Sequence, residues 1–245
     1  MYRFFVEQEQ IGEQSVSITG KDVNHIKNVL RMKVGETVLV SDGSDREYVC
    51  VIRQFHDDEV VADIEDVNGQ TRELPIQVTL FQALPKGDKM ELIIQKMIEL
   101  GAYEIVPMST KRCVVKLDAK KAANKTKRWN AIAESAAKQS KRGIIPQVSA
   151  PVTYGQALAM AKDMDMILIP YEEAENMGHT RQVISEIKPG MKIGIFIGSE
   201  GGFAKEEVEL AGQSGAKPIT LGKRILRTET AGMAVMSVLM YLMEE

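Results

Sequence analysis

In the stretch IFIGSEGGFAKEEVE, Ile195 to Glu209, an apolar run gives way to three glycines within five residues. Ile193 to Ile197 reads as a buried strand and Ala204 to Ala211 as a helix, so Gly198, Gly201 and Gly202 form a strand-to-helix turn. Glycine lets backbone come close to a ligand, and the amides that open a helix favour one. The familiar nucleotide loops do not fit. No Lys-Ser or Lys-Thr follows Gly202, as a Walker loop requires, and Glu200 stands where G-x-G-x-x-G needs its second glycine. Glu200 also occupies the place of the serine in a G-x-S-x-G nucleophile elbow. From this stretch alone, a ligand-holding turn and a tight turn with no ligand both stand.

Outward from that turn, the chain from Ile76 onward alternates strands with helices, the pattern of an α/β domain with a mainly parallel sheet. Strands are expected at Ile76 to Leu84, Tyr103 to Met108, Asp165 to Pro170, Lys192 to Ile197 and Pro218 to Leu221. A helix over Asp88 to Leu100 carries a capping box from Asp88 to Glu91 and stops at Gly101. Trp129, Ile132, Ala133, Ala136 and Ala137 follow helical spacing, which leaves Lys125, Arg128, Lys138 and Arg142 largely on other faces. The last helix, Thr228 to Met243, is apolar over much of its circumference. Ala231, Gly232 and Ala234 permit close approach, so it needs two partners. Its run Ala231 to Met243 is too short to span a bilayer, which takes about 20 residues.

The first 72 or so residues read differently. Short strands at Tyr2 to Glu7, Ser15 to Thr19, Glu36 to Ser41, Glu47 to Phe55 and Val60 to Val67 suggest a small β-barrel. Asp42-Gly43-Ser44-Asp45 and His56-Asp57-Asp58 are the hairpin loops. One helix, Asp22 to Met32, places Val23, Ile26, Val29 and Leu30 on a single stripe. Asn68-Gly69-Gln70-Thr71 is the linker, giving domains at 1–72 and 73–245. No internal repeat is evident.

Over 245 residues the formal net charge is -3, which hides an uneven distribution. Lys111 to Arg142 holds 11 Lys or Arg against Asp118 and Glu134, a local balance of +9, whereas Met1 to Arg72 stands at -6. An anionic polymer is the sharper explanation, a solvated helix face the blander one. Cys50 and Cys113 lie far apart and His25, His56 and His179 share no ligand-like spacing with them, so neither a disulfide nor a metal is expected. Met1 runs straight into a half-polar strand without a leader, so the expected location is the cytoplasm.

A second glycine-bearing stretch, ITLGKRILRTETAGMAVMS from Ile219 to Ser237, again runs from strand through loop to helix. IGSEGGF together with LGKRILRTETA resembles the two C-terminal signatures of the SPOUT methyltransferases, specifically the RsmE family. HIKNVLRMKVGE (His25 to Glu36), KGDKMELIIQKMIELGAYEIVP (Lys86 to Pro107) and RWNAIAESAAKQSKR (Arg128 to Arg142) are similar to that family's other motifs, so the resemblance covers nearly the whole chain. Ser199 departs from the family's usual proline and Cys113 from its frequent serine, which bears on local loop shape.

The resemblance implies a PUA-like β-barrel followed by a SPOUT α/β domain tied in a C-terminal trefoil knot. It implies a homodimer with the active site at the interface, and S-adenosylmethionine-dependent methylation of N3 of a uridine in 16S ribosomal RNA, within the small subunit. The donor would then lie on Ile197, Gly198, Glu200, Gly201 and Gly202, with Leu221, Gly222, Ile225 and Leu226 as the opposite lip and Leu168 and Pro170 closing the pocket. A preformed sulfonium requires no metal. Uracil N3 is a poor nucleophile until it loses its proton. Arg227 is the candidate for stabilising charge on the uracil oxygens. Glu229 takes the proton, orients Arg227, or only favours the dipole of its helix. For RNA, Arg112, Lys116, Arg128, Lys138 and Arg142 supply charge, and Arg3, His25 and Arg31 belong to the barrel motif. Ribose 2'-O-methylation and a non-catalytic RNA-binding assembly role are the alternatives.

Overall fold

The structure is a computed structural model that describes residues 1–43, 46–68, 72–174 and 176–244, without the side chain at position 68. Ser44 and Asp45 of the first hairpin loop, and Gly69 to Thr71 of the linker, lie outside the described residues. The chain forms two compact units, one of Met1–Glu73 with Ala137–Ile145, the other of Leu74–Ala136 with Pro146–Glu245.

In the first unit, β1 (Tyr2–Phe5) and β2 (Ser15–Thr19) are followed by α1 (Lys21–Asn24), β3 (Thr37–Ser41), β4 (Glu47–Phe55) and β5 (Glu59–Asn68). They form a five-stranded sheet in the order β1-β3-β4-β5-β2. Period-2 alternation turns Tyr48, Cys50 and Ile52 of β4 inward onto Val16, Ile18, Val38 and Val40. Burial and then the charge of Asp63 push the Cys50 thiol up to about 12, which makes it an inert part of this core.

The single helix expected over Asp22 to Met32 is not what forms. After α1 the chain widens into a π-helical turn, His25–Val29, with Leu30 N donating to His25 O at 2.8 Å. Arg31 then takes a left-handed conformation, φ 54°, and ends it. The widened turn keeps Val23 and Ile26 in the core but swings Val29 out to 64% exposure, which breaks the expected stripe.

The second unit contains, in chain order, β6 (Gln77–Ala83), α2 (Lys89–Glu99), β7 (Glu104–Ser109), α3 (Ala119–Gln139), β8 (Gln147–Val148), β9 (Val152–Thr153), α4 (Tyr154–Met160), β10 (Met166–Pro170), α5 (Met177–Ser185), β11 (Lys192–Ile197), α6 (Lys205–Gln213), β12 (Ala216–Ile219) and α7 (Thr228–Met243). The last residues of α3 group with the first unit. Every strand pair in this sheet is parallel, as the alternating pattern requires, and the order is β12-β10-β11-β6-β7-β8 with β9 also on β7. Phe81 of β6 stacks on Phe196 of β11 at 4.4 Å between centroids, and Tyr154 of α4 meets Phe196 edge-on.

Asp88 does not form the expected capping box: its side chain caps nothing, and Glu91 instead holds Arg128 at 2.7 Å. Gly101, φ 101°, does end α2. The chain builds β7 and β8 on one side of β6 and then crosses to build β10, β11 and β12 on the other. In such sheets the crevice lies outside the carboxyl ends of the strands, where the order reverses.

Candidate active site

Three glycines shape the turn after β11 for three reasons. A Cβ on Gly198 would lie 2.9 Å from the carbonyl carbon of Gly202, and one on Gly201 would lie 3.1 Å from Arg112 Cβ, so the first closes the turn on itself and the second lets it pack against Arg112. Gly202 has φ +66° and a Cβ there would meet nothing within 4 Å. Its backbone faces open space, and the left-handed conformation excludes most side chains. Ser199 O accepts from Gly202 N at 2.9 Å and completes the loop.

Buried Glu207 anchors this turn to its neighbours. One carboxylate oxygen accepts from Ala204 N at 2.8 Å, opening α6, and the other accepts from Lys111 N at 2.7 Å. Arg112 then donates from Nη1 to Gly201 O at 2.8 Å. Tyr154 OH donates to Glu207 O at 2.8 Å, tying the turn to the core.

The opposite lip follows β12. Thr180 of α5 accepts from Thr220 N at 3.0 Å and donates to Thr220 O at 3.2 Å, fixing where the lip begins. Gly222, φ +104°, again presents backbone to open space. Arg227 precedes α7, and Thr228 Oγ1 donates to Gly198 O at 2.6 Å while accepting from Gln82 Nε2 at 2.9 Å. One hydroxyl thus joins β6, the glycine turn and α7.

Between the lips lies a cavity of about 690 Å³, of the size that holds a cofactor. Ile197, Gly198, Glu200, Gly201 and Gly202 line one side, and Leu221, Gly222, Ile225, Leu226 and Arg227 the other. Pro170 lines it as well, followed by Tyr171 and Glu172. Leu168 does not: it is wholly buried within β10, a strand buried along its length up to Pro170 at its end. Lys89, Lys223 and Arg224 also line the cavity, and sequence reasoning missed all three as site residues. The Gly-Lys-Arg run after β12 carried a signal for two of them.

The charged wall is ordered. Lys89 Nζ donates to Glu200 Oε1 at 2.9 Å and lies 3.6 Å from Glu229 Oε2. Lys86 N donates to Glu200 at 3.1 Å. The bond to Glu200, ahead of the charges of both carboxylates, raises the Lys89 ammonium above the usual lysine range. Burial works to raise Glu200, but the bonds from Lys89 and Lys86 outweigh it and hold the carboxyl below its usual range. Glu229 does not line the cavity.

The residues expected to meet RNA divide. Lys116 and Arg31 are exposed, and His25 is exposed with its ring edge toward Phe4. Arg128 is largely exposed despite its pair with Glu91. Arg112 faces the cavity. Lys138 pairs with Asp22 at 3.0 Å. Arg3 and Arg142 are 6% and 3% exposed and are removed from the candidate surface. Arg142 Nε donates to Glu73 at 3.1 Å, and Arg3 donates to Arg142 O at 2.6 Å and pairs with Glu47. Both guanidiniums are buried and held by internal acceptors. Among the described residues no group of three His, Cys, Asp or Glu is placed to hold a metal ion, and no helix is long and apolar enough to cross a membrane.

Two family models match the chain, an RNA methyltransferase domain over residues 72–240 and an RNA methyltransferase PUA domain over residues 18–65. The ribosomal RNA small subunit methyltransferase E of Bacillus subtilis (strain 168) is 39% identical, over 98% of this chain and 96% of its own length. A crystal structure of a ribosomal RNA small subunit methyltransferase E from Neisseria gonorrhoeae bound to S-adenosyl methionine is similar with a TM-score of 0.84 and 31% identity, covering 99% of this chain and 98% of that one. A putative methyltransferase from Legionella pneumophila, solved in complex with the cofactor SAM, is similar with a TM-score of 0.83 and 32% identity, covering 98% and 97%. A parallel α/β unit with a glycine-walled cavity, a first unit matching a PUA domain, and near-complete coverage at this identity lead to one conclusion: the chain belongs to the ribosomal RNA small subunit methyltransferase E family.

Proposed function

We propose that this protein methylates N3 of a uridine in small-subunit 16S ribosomal RNA, with S-adenosylmethionine as donor. The observation that carries the reading is the cavity, where Gly202 and Gly222 turn bare backbone toward open space from opposite lips. That cradle fits an adenosine: its amides and carbonyls recognise a base edge, and a Cβ would fill the space the ligand needs. Gly198, Gly201 and Gly202 hold one side, and Leu221, Gly222 and Leu226 the other. When bound, the donor supplies an electrophilic methyl carbon that needs no metal.

The chain's own residues manage charge. The Arg227 side chain is exposed and makes no hydrogen bond or ion pair with the described residues, so its fork is open to the uracil oxygens as N3 loses its proton. Arg112, Lys223 and Arg224 add positive charge along the cavity and suit the approach of a phosphate backbone. In the first unit, exposed His25 and Arg31 flank the π-helical turn, a form common at functional sites. They are the proposed contacts for a folded RNA surface.

The proposal extends to topology and assembly. The chain leaves the sheet at its β12 edge, yet α7 packs over β11 and α2, as a C-terminal trefoil knot requires. Tyr241 and Leu242 of α7 are 81% and 51% exposed, a face suited to a second copy in a homodimer. The cytoplasm, where ribosomes assemble, is the proposed location. Incubating the protein with isolated small subunits and methyl-labelled donor tests the reading. Label is expected in the RNA, and its absence from both subunits and free 16S RNA contradicts it.

A further inference from the structure

Lys89 is the cavity-lining residue whose presence donor binding does not explain. It rises from the first turn of α2 and is gripped by Glu200 at 2.9 Å, while Glu229, on α7, stands 3.6 Å away. Glu229 Oε2 is buried and has no closer partner than this ion pair among the described residues, so it acts on Lys89. An ammonium has three N–H groups. Glu200 takes one, and the side chain keeps 32% exposure on the cavity, which leaves a donor free for a ligand. Glu229 lies two residues after Arg227, so Lys89 and Arg227 both stand at the N-terminus of α7, where the helix dipole adds positive potential.

A deprotonated uracil spreads its charge over the two carbonyl oxygens that flank N3. We propose that Lys89 is a second catalytic cation, donating to one of these oxygens while Arg227 serves the other, and that Glu200 and Glu229 are positioning residues that keep Lys89 charged and aimed. The assignment rests on the uracil-N3 reading above. It divides the work: the N3–H proton leaves to solvent water, its electron pair stays on the ring and forms the bond to the methyl carbon as the methyl–sulfur pair returns to sulfur, and the two cations hold the ring's negative charge in between. Glu200 and Glu229 are the charged groups that face Lys89, from the β11 turn and from α7. The higher proton affinity they give it ensures that it acts as a donor rather than a base.

Single-turnover transfer to small-subunit RNA at saturating donor tests this, with donor affinity measured separately by calorimetry. Lys89→Met is expected to leave the donor Kd within about twofold of wild type and to slow transfer about 100-fold, the scale of a lost charge-stabilising donor. Lys89→Arg keeps the charge and is expected to recover most of the rate. In Glu200→Gln the loss of activity at high pH should begin at lower pH than in wild type, which a merely structural lysine would not cause. A normal rate in Lys89→Met overturns the proposal. Donor affinity falling in step with the rate overturns it too, and moves Lys89 to the donor's own subsite. If the wild-type protein makes no 3-methyluridine, the functional reading itself fails, which is a separate result.

Discussion

At Gly202 the backbone φ is +66° and no atom stands within 4 Å of where a Cβ would be, so a side chain there meets two objections. It strains the turn, and it occupies the space assigned to the donor. Gly202→Val is expected to abolish donor binding by calorimetry while leaving the secondary structure intact by circular dichroism; unchanged affinity would remove this turn from the pocket. Arg227 lies in the same cavity but makes no contact that holds the turn together. Arg227→Ala is therefore expected to keep donor affinity near wild type and slow transfer by about 100-fold, read in single-turnover assays. A glycine turn between strand and helix was legible in sequence, but spacing left a ligand-holding and an empty turn both standing, and only the family resemblance pointed to the donor. The separate reasons for Gly198 and Gly201 were not legible, since they depend on atoms of Gly202 and Arg112 that only folding brings close.

The turn after β11 and the start of α2 form one electrostatic element through Glu200, Lys86 and Lys89. Glu200 has its carboxyl pKa lowered in the fold, so the stabilisation it contributes is complete above the ordinary glutamate value of about 4.3 and is lost as pH falls through the lower folded value. Protection of the Gly201 and Gly202 amides, corrected for the intrinsic pH dependence of exchange, should accordingly be lost as pH falls below the ordinary glutamate range in wild type, and Glu200→Gln should remove that pH dependence; identical profiles would contradict the coupling. Elements with a strong period were readable: β2, β4, β11 and α7 have the ends expected of them. The π-helical turn, α4 and α5 were not read. Apolar spacing does not reveal a turn widened by one residue, and seven to nine residues of mixed polarity give a weak helical signal. Asp88 failed as a cap because its backbone, at φ -96° and ψ 10°, is not the extended conformation that aims an N-cap side chain at the first-turn amides, and Glu91, its expected partner, pairs with Arg128 from another helix.

Across the whole molecule, the basic segment is divided between two kinds of work that a charge count cannot separate. Arg3 reaches the carbonyl of Arg142, 139 positions away, and Arg142 binds Glu73, so these cations hold the first unit together. Arg142→Ala should destabilise the protein by about 1.5–3 kcal/mol in denaturant titrations, since it removes the bidentate partner of the part-buried Glu73 carboxylate and leaves it only the Gly143 amide among the described residues. Neutralising exposed Lys116 and Arg128 together should instead spare stability and flatten the salt dependence of RNA binding by up to about 1.4–1.8 in log–log slope. Stability unaffected in the first case, or a slope unaffected in the second, would reverse this partition. If the two glycine lips and the cations at α7 direct a methyl group to one ring nitrogen, the product identifies that nitrogen: small subunits are methylated with the purified protein and labelled donor, the 16S RNA is digested to nucleosides, and the labelled nucleoside is identified by chromatography and mass spectrometry. 3-Methyluridine is expected as the single labelled nucleoside; label on a ribose 2'-oxygen, or on any other base position, would overturn the uracil-N3 reading.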